Sequence, residues 1–327
     1  MYVLGIESSC DETAAAVVKN GRHILSSAVA SSLKFHRKYG GVVPEIASRK
    51  QLEVIAQVTQ EALNEAKISL SDVGLISVTS KPGLAGSLLV GISFAKSLSL
   101  ASDIPLLGLD HLYSHIYAGF LNNRNIRLPF IALIVSGGHT SLYEVFDFDK
   151  IKLIGSTHDD ACGEAFDKVA KILGLGYPGG PAVERMARKG NGNKIKFKCS
   201  DTDNPLDFSF SGIKTAVLYY MRKKSPDSGS ISDIAASFQE AVIETLVKKS
   251  FLALRAKKSR RLVIGGGVAA NEKLRVKFCQ RAKKEGISIY FPSKELCMDN
   301  AAMVAGLGYR LFRKGHLSDL TLNTAGQ

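Results

Sequence analysis

One order of elements occurs twice in these 327 residues, and that repetition restricts the fold more than any other feature. In the first half, 2–6 (YVLGI) reads as a buried strand, followed by a polar loop, a strand at 14–18 and a third near 23–30. A helix opens at Pro44, a favoured first-turn residue, with Ile46, Val54, Ile55, Val58 and Leu63 at helical spacing. A strand at 75–79, a helix at 84–100 and a strand near 104–107 follow. In the second half, 130–135 (FIALIV) is a strand, with a glycine-rich loop, strands at 140–146 and 151–156, and a helix near Asp160. After an irregular insertion over roughly 176–230, a long helix at 231–256 precedes strand 261–265, helix 271–285, strand 287–291 and a last helix from 299. Each half thus reads strand, loop, strand, strand, helix, strand, helix, strand. The expectation is two α/β domains, 1–125 and 126–327, with the last helix returning toward the first.

A duplicated α/β unit with polar or glycine-rich turns after its first strands resembles the actin-like ATPase superfamily, which includes actin, the Hsp70 ATPase domain and the sugar kinases. That resemblance implies two RNase H-like domains with the ligand in the cleft between them.

Composition removes several alternatives. The sequence shows no apolar run approaching the roughly 18 residues of a membrane span, and MYVLGIESSC lacks the basic start of a signal peptide. Five scattered cysteines (Cys10, Cys162, Cys199, Cys279, Cys297), without C-x-x-C, point to free thiols in a reducing cytoplasm rather than a disulfide scaffold or zinc ribbon. Charge is one-sided. Residues 1–165 carry 14 Lys and Arg against 16 Asp and Glu, and residues 166–327 carry 29 against 14. The bases gather at Arg222–Lys224, Arg255–Arg261 and Arg275–Lys284, which suits a polyphosphate partner such as RNA.

Four loops carry ligand chemistry. GIESSCDET (5–13) offers hydroxyls and amides beside Glu7, Asp11 and Glu12. VSGGHTSL (135–142) holds the equivalent place in the second repeat, where Gly137 and Gly138 let backbone amides approach a ligand. GGGVAAN (265–271) precedes a helix whose first amides are free for an anion, though its spacing is neither a P-loop nor G-x-G-x-x-G. GYPGGP (176–181) follows the helical run DACGEAFDKVAKILG, where Glu164 and Asp167 share a face.

The run HLYSH places His111 and His115 one helical turn apart, on one face, where they can share a metal. It lacks the glutamate of H-E-x-x-H, so the general base of a zinc protease is missing. A carboxylate should complete the set. Asp299 in CMDNAAM, Asp110 and Asp11 all qualify.

GIESSCDET, HLYSH, VSGGHTSL, DACGEAFDK, GYPGGP, FSFSGIKTAV, GGGVAAN and CMDNAAM, in this order over nearly the whole chain, resemble the bacterial TsaD (Gcp) family. The resemblance implies transfer of a threonylcarbamoyl group from threonylcarbamoyl-AMP to N6 of adenosine 37 in tRNAs reading codons that begin with A. It implies that His111, His115 and Asp299 hold one iron or zinc ion, and that Val135, Ser136, Gly137, Gly138 and His139 meet the phosphate and acyl parts of the donor. It further implies that Asp167, Gly180 and Glu184 bind the nucleoside end and that Asn271 completes the pocket. Glu12 and Asp11 are the nearest acids for a general base. A paralogous TsaB-type partner and a small TsaE-type ATPase are expected beside tRNA, without a membrane. A generic actin-like ATPase or kinase is the competing function, and it needs neither the histidine pair nor a basic half.

Overall fold

Apolar strands buried on both faces must lie inside a sheet covered on both sides, and YVLGI and FIALIV are the two runs of this kind that open each repeat. The computed structural model describes residues 1–224 and 228–324, so residues 225–227 of the expected insertion lie outside the described residues. The elements run β1 (Tyr2–Glu7), β2 (Glu12–Lys19), β3 (His23–Ser31), α1 (Leu33–His36), α2 (Pro44–Ala66), β4 (Val73–Lys81), α3 (Ala85–Ser102), β5 (Leu106–Asp110) and α4 (His111–Asn122). They continue with β6 (Phe130–Val135), β7 (Thr140–Asp147), β8 (Lys150–Ser156), α5 (Cys162–Ile172), α6 (Gly179–Ala187), α7 (Ser211–Lys224) and α8 (Ser228–Ala256). The chain closes with β9 (Arg261–Gly265), α9 (Glu272–Glu285), β10 (Ser288–Tyr290) and α10 (Ala301–Phe312).

The repeat is present in the sheets. One runs β3-β2-β1-β4-β5 and the other β8-β7-β6-β9-β10. In each, the first three strands of the repeat pair antiparallel and the two later ones add in parallel. Two units result, Met1–Asn125 with Glu295–Gln327, and Ile126–Lys294. The sequence reading ran the second domain from 126 to 327, with its last helix returning toward the first. In the structure, Glu295 onward clusters with the first unit, because the buried stripe from Ala301 to Gly308 lies on β1, β2 and β4. Divided this way, the first unit carries 14 bases against 13 acids and the second 29 against 17, so the positive charge belongs to the second.

Gly5 sets the approach of α10. A Cβ there would stand 2.2 Å from the carbonyl oxygen of Ala301 and 2.8 Å from the amide of Ala305. Only a glycine lets the helix backbone lie directly on the strand.

Two sequence expectations need correction. The 176–230 stretch is not wholly irregular, since α6 and α7 lie inside it. Both helices start on caps supplied from elsewhere in the chain. The Gly179 amide donates to Asp167 Oδ1 (2.6 Å), and the Phe210 amide and the Ser211 hydroxyl donate to Asp159 (2.8 and 2.7 Å), so local pattern gave no start signal. Secondly, α3 is 18 residues long with a mean hydropathy of 1.3, enough by length and composition to cross a membrane. Its serines and Lys96 interrupt the apolar run in sequence. In the first unit its Leu88, Ile92 and Ala95 are buried with Leu4, Ile6, Ile76 and Val78.

Gly5→Ala should destabilise the first unit by about 1–3 kcal/mol, the cost of overpacking a close backbone contact. Thermal melting checks this, and an unchanged midpoint would show that α10 can retreat freely.

Candidate metal centre and ligand loops

α4 begins directly at the end of β5. Asp110 Oδ1 accepts the amides of Leu112 (2.8 Å) and Tyr113 (3.2 Å), a helix cap that uses this carboxylate and leaves Asp299 as the acid facing the histidines. His111 and His115 stand one turn apart with ring centroids 4.6 Å apart and planes at 80°. Their Nε2 atoms converge on Asp299 Oδ1, at 3.5 Å and 3.1 Å. The donor atoms of the three side chains all lie within 4.8 Å of one another. Both imidazoles are buried, and Asp299 is partly open.

Sequence reasoning did not single out the residue behind this pair. Glu7, fully buried at the end of β1, receives His111 Nδ1 on Oε2 at 3.0 Å. The Thr79 hydroxyl donates to the same oxygen (2.6 Å) and the Ser9 amide to Oε1 (2.6 Å). A carboxylate on Nδ1–H holds an imidazole with its Nε2 lone pair turned toward a ligand. The signal in the sequence was an acid ending an otherwise apolar strand. The 5–13 loop is therefore built to support His111. Its hydroxyls are directed inward: Ser8 donates to the Ser87 carbonyl, and Ser9 Oγ lies 3.2 Å from His111 Nδ1. Gln51 of α2 donates to the carbonyls of Ser8, Cys10 and Glu12, fixing the loop from behind.

The ionisable groups here act on one another. Burial works to raise the Glu7 carboxyl, but the adjoining His111 outweighs it and holds Glu7 below its ordinary value. Burial works to lower His111, but Glu7 and Asp299 push it up to about 9. Burial and then Asp299 raise Asp11, while burial, Asp299, Asp11 and Glu7 push Glu12 up to about 8. Glu7 and Asp299 thus bear directly on His111, while Asp299 also acts on Asp11 and Glu12. Two imidazole nitrogens and a carboxylate oxygen, with Glu7 behind His111, are a donor set that fits a divalent cation.

The second unit gathers the other sequence-derived residues. Ser136–His139 closes the β6–β7 hairpin: the Ser136 amide donates to the His139 carbonyl (2.8 Å) and the His139 amide to Ser136 Oγ (3.1 Å). A Cβ on Gly137 or Gly138 would meet nothing within 4 Å, and neither has a positive φ. The fold does not require glycine at either position, so the open space above the tip is what they preserve. Gly163 at the start of α5 donates its amide to the Ser136 carbonyl (3.1 Å). Gly266, at φ +88°, lies against Val135, whose carbonyl a Cβ would strike at 2.4 Å. The hairpin, the start of α5 and the 265–267 loop therefore form one cluster.

Asp167 caps α6 through Gly179, and a Cβ on Gly180 would again meet open space. Glu184 Oε1 accepts the Glu272 amide (3.0 Å), and Asn271 Oδ1 accepts the Leu274 amide (3.0 Å) while its Nδ2 donates to Gln239 (2.9 Å). Two of the first amides of α9, which the sequence reading offered to an anion, those of Glu272 and Leu274, are thus taken by side chains of the protein itself. Glu184 and Asn271 meet at this helix start.

Comparison with known proteins completes the description. The family model for tRNA N6-adenosine threonylcarbamoyltransferase (TsaD) matches residues 23–306. A protein of that name from Thermodesulfovibrio yellowstonii is 53% identical over 328 residues, covering 99% of this chain and 98% of its own. One from Clostridium perfringens is 48% identical over 324 residues, covering 98% and 96%. Among solved structures, full-length HypF in a phosphate- and nucleotide-bound form superposes with a TM-score of 0.67 at 13% identity, covering 97% of this chain and 47% of its own. The activator of 2-hydroxyisocaproyl-CoA dehydratase from Clostridium difficile, with bound ADPNP, gives 0.56 at 15%, covering 98% and 100%. The two structures establish the actin-like ATPase fold. With half of its residues shared over nearly full length, this chain belongs to the TsaD family of tRNA N6-adenosine threonylcarbamoyltransferases.

Proposed function

We propose that the chain transfers a threonylcarbamoyl group from threonylcarbamoyl-AMP to N6 of adenosine 37 in tRNAs reading codons that begin with A. The observation that carries this reading is 53% identity, over 99% of the chain, to a protein named for that activity. A generic actin-like ATPase or kinase is not favoured, because it would leave the buried histidine pair without a purpose.

The adenine N6 amine is a weak nucleophile, its lone pair being delocalised into the ring. The donor is a mixed carbamic–phosphoric anhydride. The N6–carbon bond forms, the bond to the phosphate oxygen breaks, AMP departs, and N6 gives up one proton. Asp11 and Glu12 are the acids that this chain offers for that proton. His111, His115 and Asp299 would hold one divalent ion, iron or zinc, with Glu7 orienting His111. When bound, such an ion supplies Lewis acidity toward a carbonyl oxygen. The Val135–His139 segment would receive the phosphate and acyl parts at its tip, where bare Gly137 and Gly138 allow close approach. Gly180 would do the same for the nucleoside. Asp167, Glu184 and Asn271 would shape that end by holding the starts of α6 and α9 in place. The tRNA substrate places the reaction in the cytoplasm, and the family suggests a TsaB-type paralogue and a TsaE-type ATPase as companions.

Three outcomes test the reading. His111→Ala with His115→Ala should abolish metal binding and threonylcarbamoyl transfer while circular dichroism stays native; metal retained at full stoichiometry would refute the ligand assignment. Glu7→Gln should weaken metal affinity about 10–100-fold in chelator competition, the usual effect of losing a carboxylate behind a histidine ligand. If affinity is unchanged, Glu7 merely packs. Gly138→Ala should weaken donor binding about tenfold, or 1.4 kcal/mol, with no loss of thermal stability. Unaltered donor binding would remove the hairpin tip from the site.

A further inference from the structure

The first unit is nearly neutral, yet residues 33–50 carry five bases (Lys34, Arg37, Lys38, Arg49, Lys50) against one acid, Glu45. Arg49 pairs with Glu45 and Lys50 with Glu53. Lys34, Arg37 and Lys38 are exposed and have no acidic partner among the described residues. Two aromatic rings stand among them, Phe35 at 36% exposure and Tyr39 at 53%. Lys34 and Lys50 each hold an ammonium 5.0 Å from the Phe35 ring centre, and Lys38 lies 4.8 Å from that of Tyr39. Exposed rings flanked by cations stack nucleobases and bind phosphates at once.

The segment is tied down by hydrogen bonds at both ends. His36, fully buried, accepts the Val43 amide on Nδ1 (3.2 Å), and its Nε2 lies 2.9 Å from Ser32 Oγ. One inward side chain thereby ties both ends of the loop and turns its neighbours Phe35 and Arg37 outward. Ser32 in turn donates both its amide (3.0 Å) and its hydroxyl (2.7 Å) to the Asp11 carbonyl. The patch is thus hydrogen-bonded to the acidic loop that supports His111. By contrast, the larger charge of the second unit is partly spent internally: on α9, Lys273 and Lys277 pair with Glu240, and Arg281 with Glu285.

We propose that Lys34, Phe35, Arg37, Lys38 and Tyr39 form a landing surface for single-stranded RNA, gripping unpaired nucleotides that flank the adenosine to be modified. This rests on the acyl-transfer reading above. Adenosine 37 lies in a hairpin loop, and unpaired loop bases are the ones that aromatic side chains can stack.

The test measures binding of tRNA to the full chain over a range of salt. Phe35→Ala with Tyr39→Ala should weaken binding at least tenfold, since removing an aromatic ring removes the base stacked on it. Tyr39→Trp with Phe35→Trp should restore it. Lys34→Gln, Arg37→Gln and Lys38→Gln together should reduce the slope of log affinity against log salt by about 2, as expected for three single-strand phosphate contacts. Unchanged metal content and donor affinity in these variants would show that the loop exchange leaves the remainder of the fold intact. Variants that bind tRNA as tightly as the unaltered chain, with the same salt slope, would overturn the proposal. An unaltered chain that binds no tRNA would instead bring down the acyl-transfer reading itself, which separates the two failures.

Discussion

The backbone of α10 lies on Gly5 without a side chain between them, and the first unit's chemistry depends on that contact. Asp299 stands two residues before the helix, 184 residues from His115 in sequence, and reaches it at 3.1 Å. A helix kept an atom's width further from β1 would carry its leading acid away from the imidazoles. The same strand ends in Glu7, which holds His111 from the other side. One strand therefore positions both the acid behind the histidine and, through its glycine, the acid in front of it.

Around this contact, most polar groups are spent on support. Asp110 caps the histidine helix, Gln51 gathers three carbonyls of the acidic loop, and Thr79 and Ser9 saturate Glu7. What is left is a cluster of acids beside two imidazoles, a donor set that suits a cation. Burial strengthens that attraction, so a cation gains more here than at a surface cluster of the same acids. The second unit follows the same plan with different chemistry. Its carboxylates and amides are used to start helices, and the unoccupied room is at glycines whose backbone needs no glycine.

The parts of this arrangement legible in sequence were those with a local period or spacing. The duplicated strand order follows from alternation and apolar runs, and HLYSH follows from the helical turn. Gly137 and Gly138 stood out because their turn holds the place in the second repeat that the 5–13 loop holds in the first. The failures share a cause. Nothing near Gly179 or Ser211 announces a helix, since Asp167 and Asp159 supply the caps from 12 and 52 residues away. The start of α9 looked like an anion site until Glu184 and Asn271 were found on its amides. Glu7 was named among the loop's acids but given no role, because a lone acid at a strand end has no spacing to read.

By itself the sequence determined the repeat, the shared face of His111 and His115, the glycine-rich turns and the family, because each depends on residues close in order or on motifs kept in series. Tertiary structure alone decided that Asp110 is spent capping the histidine helix, that Glu7 orients His111, that the chain from 295 clusters with the first unit, and that Phe35 and Tyr39 stand exposed among unpaired bases. These are matters of which groups a folded chain brings within a few ångströms. The hydrogen bonds and charges that settle them join residues whose separation in sequence carries no information about their distance in space.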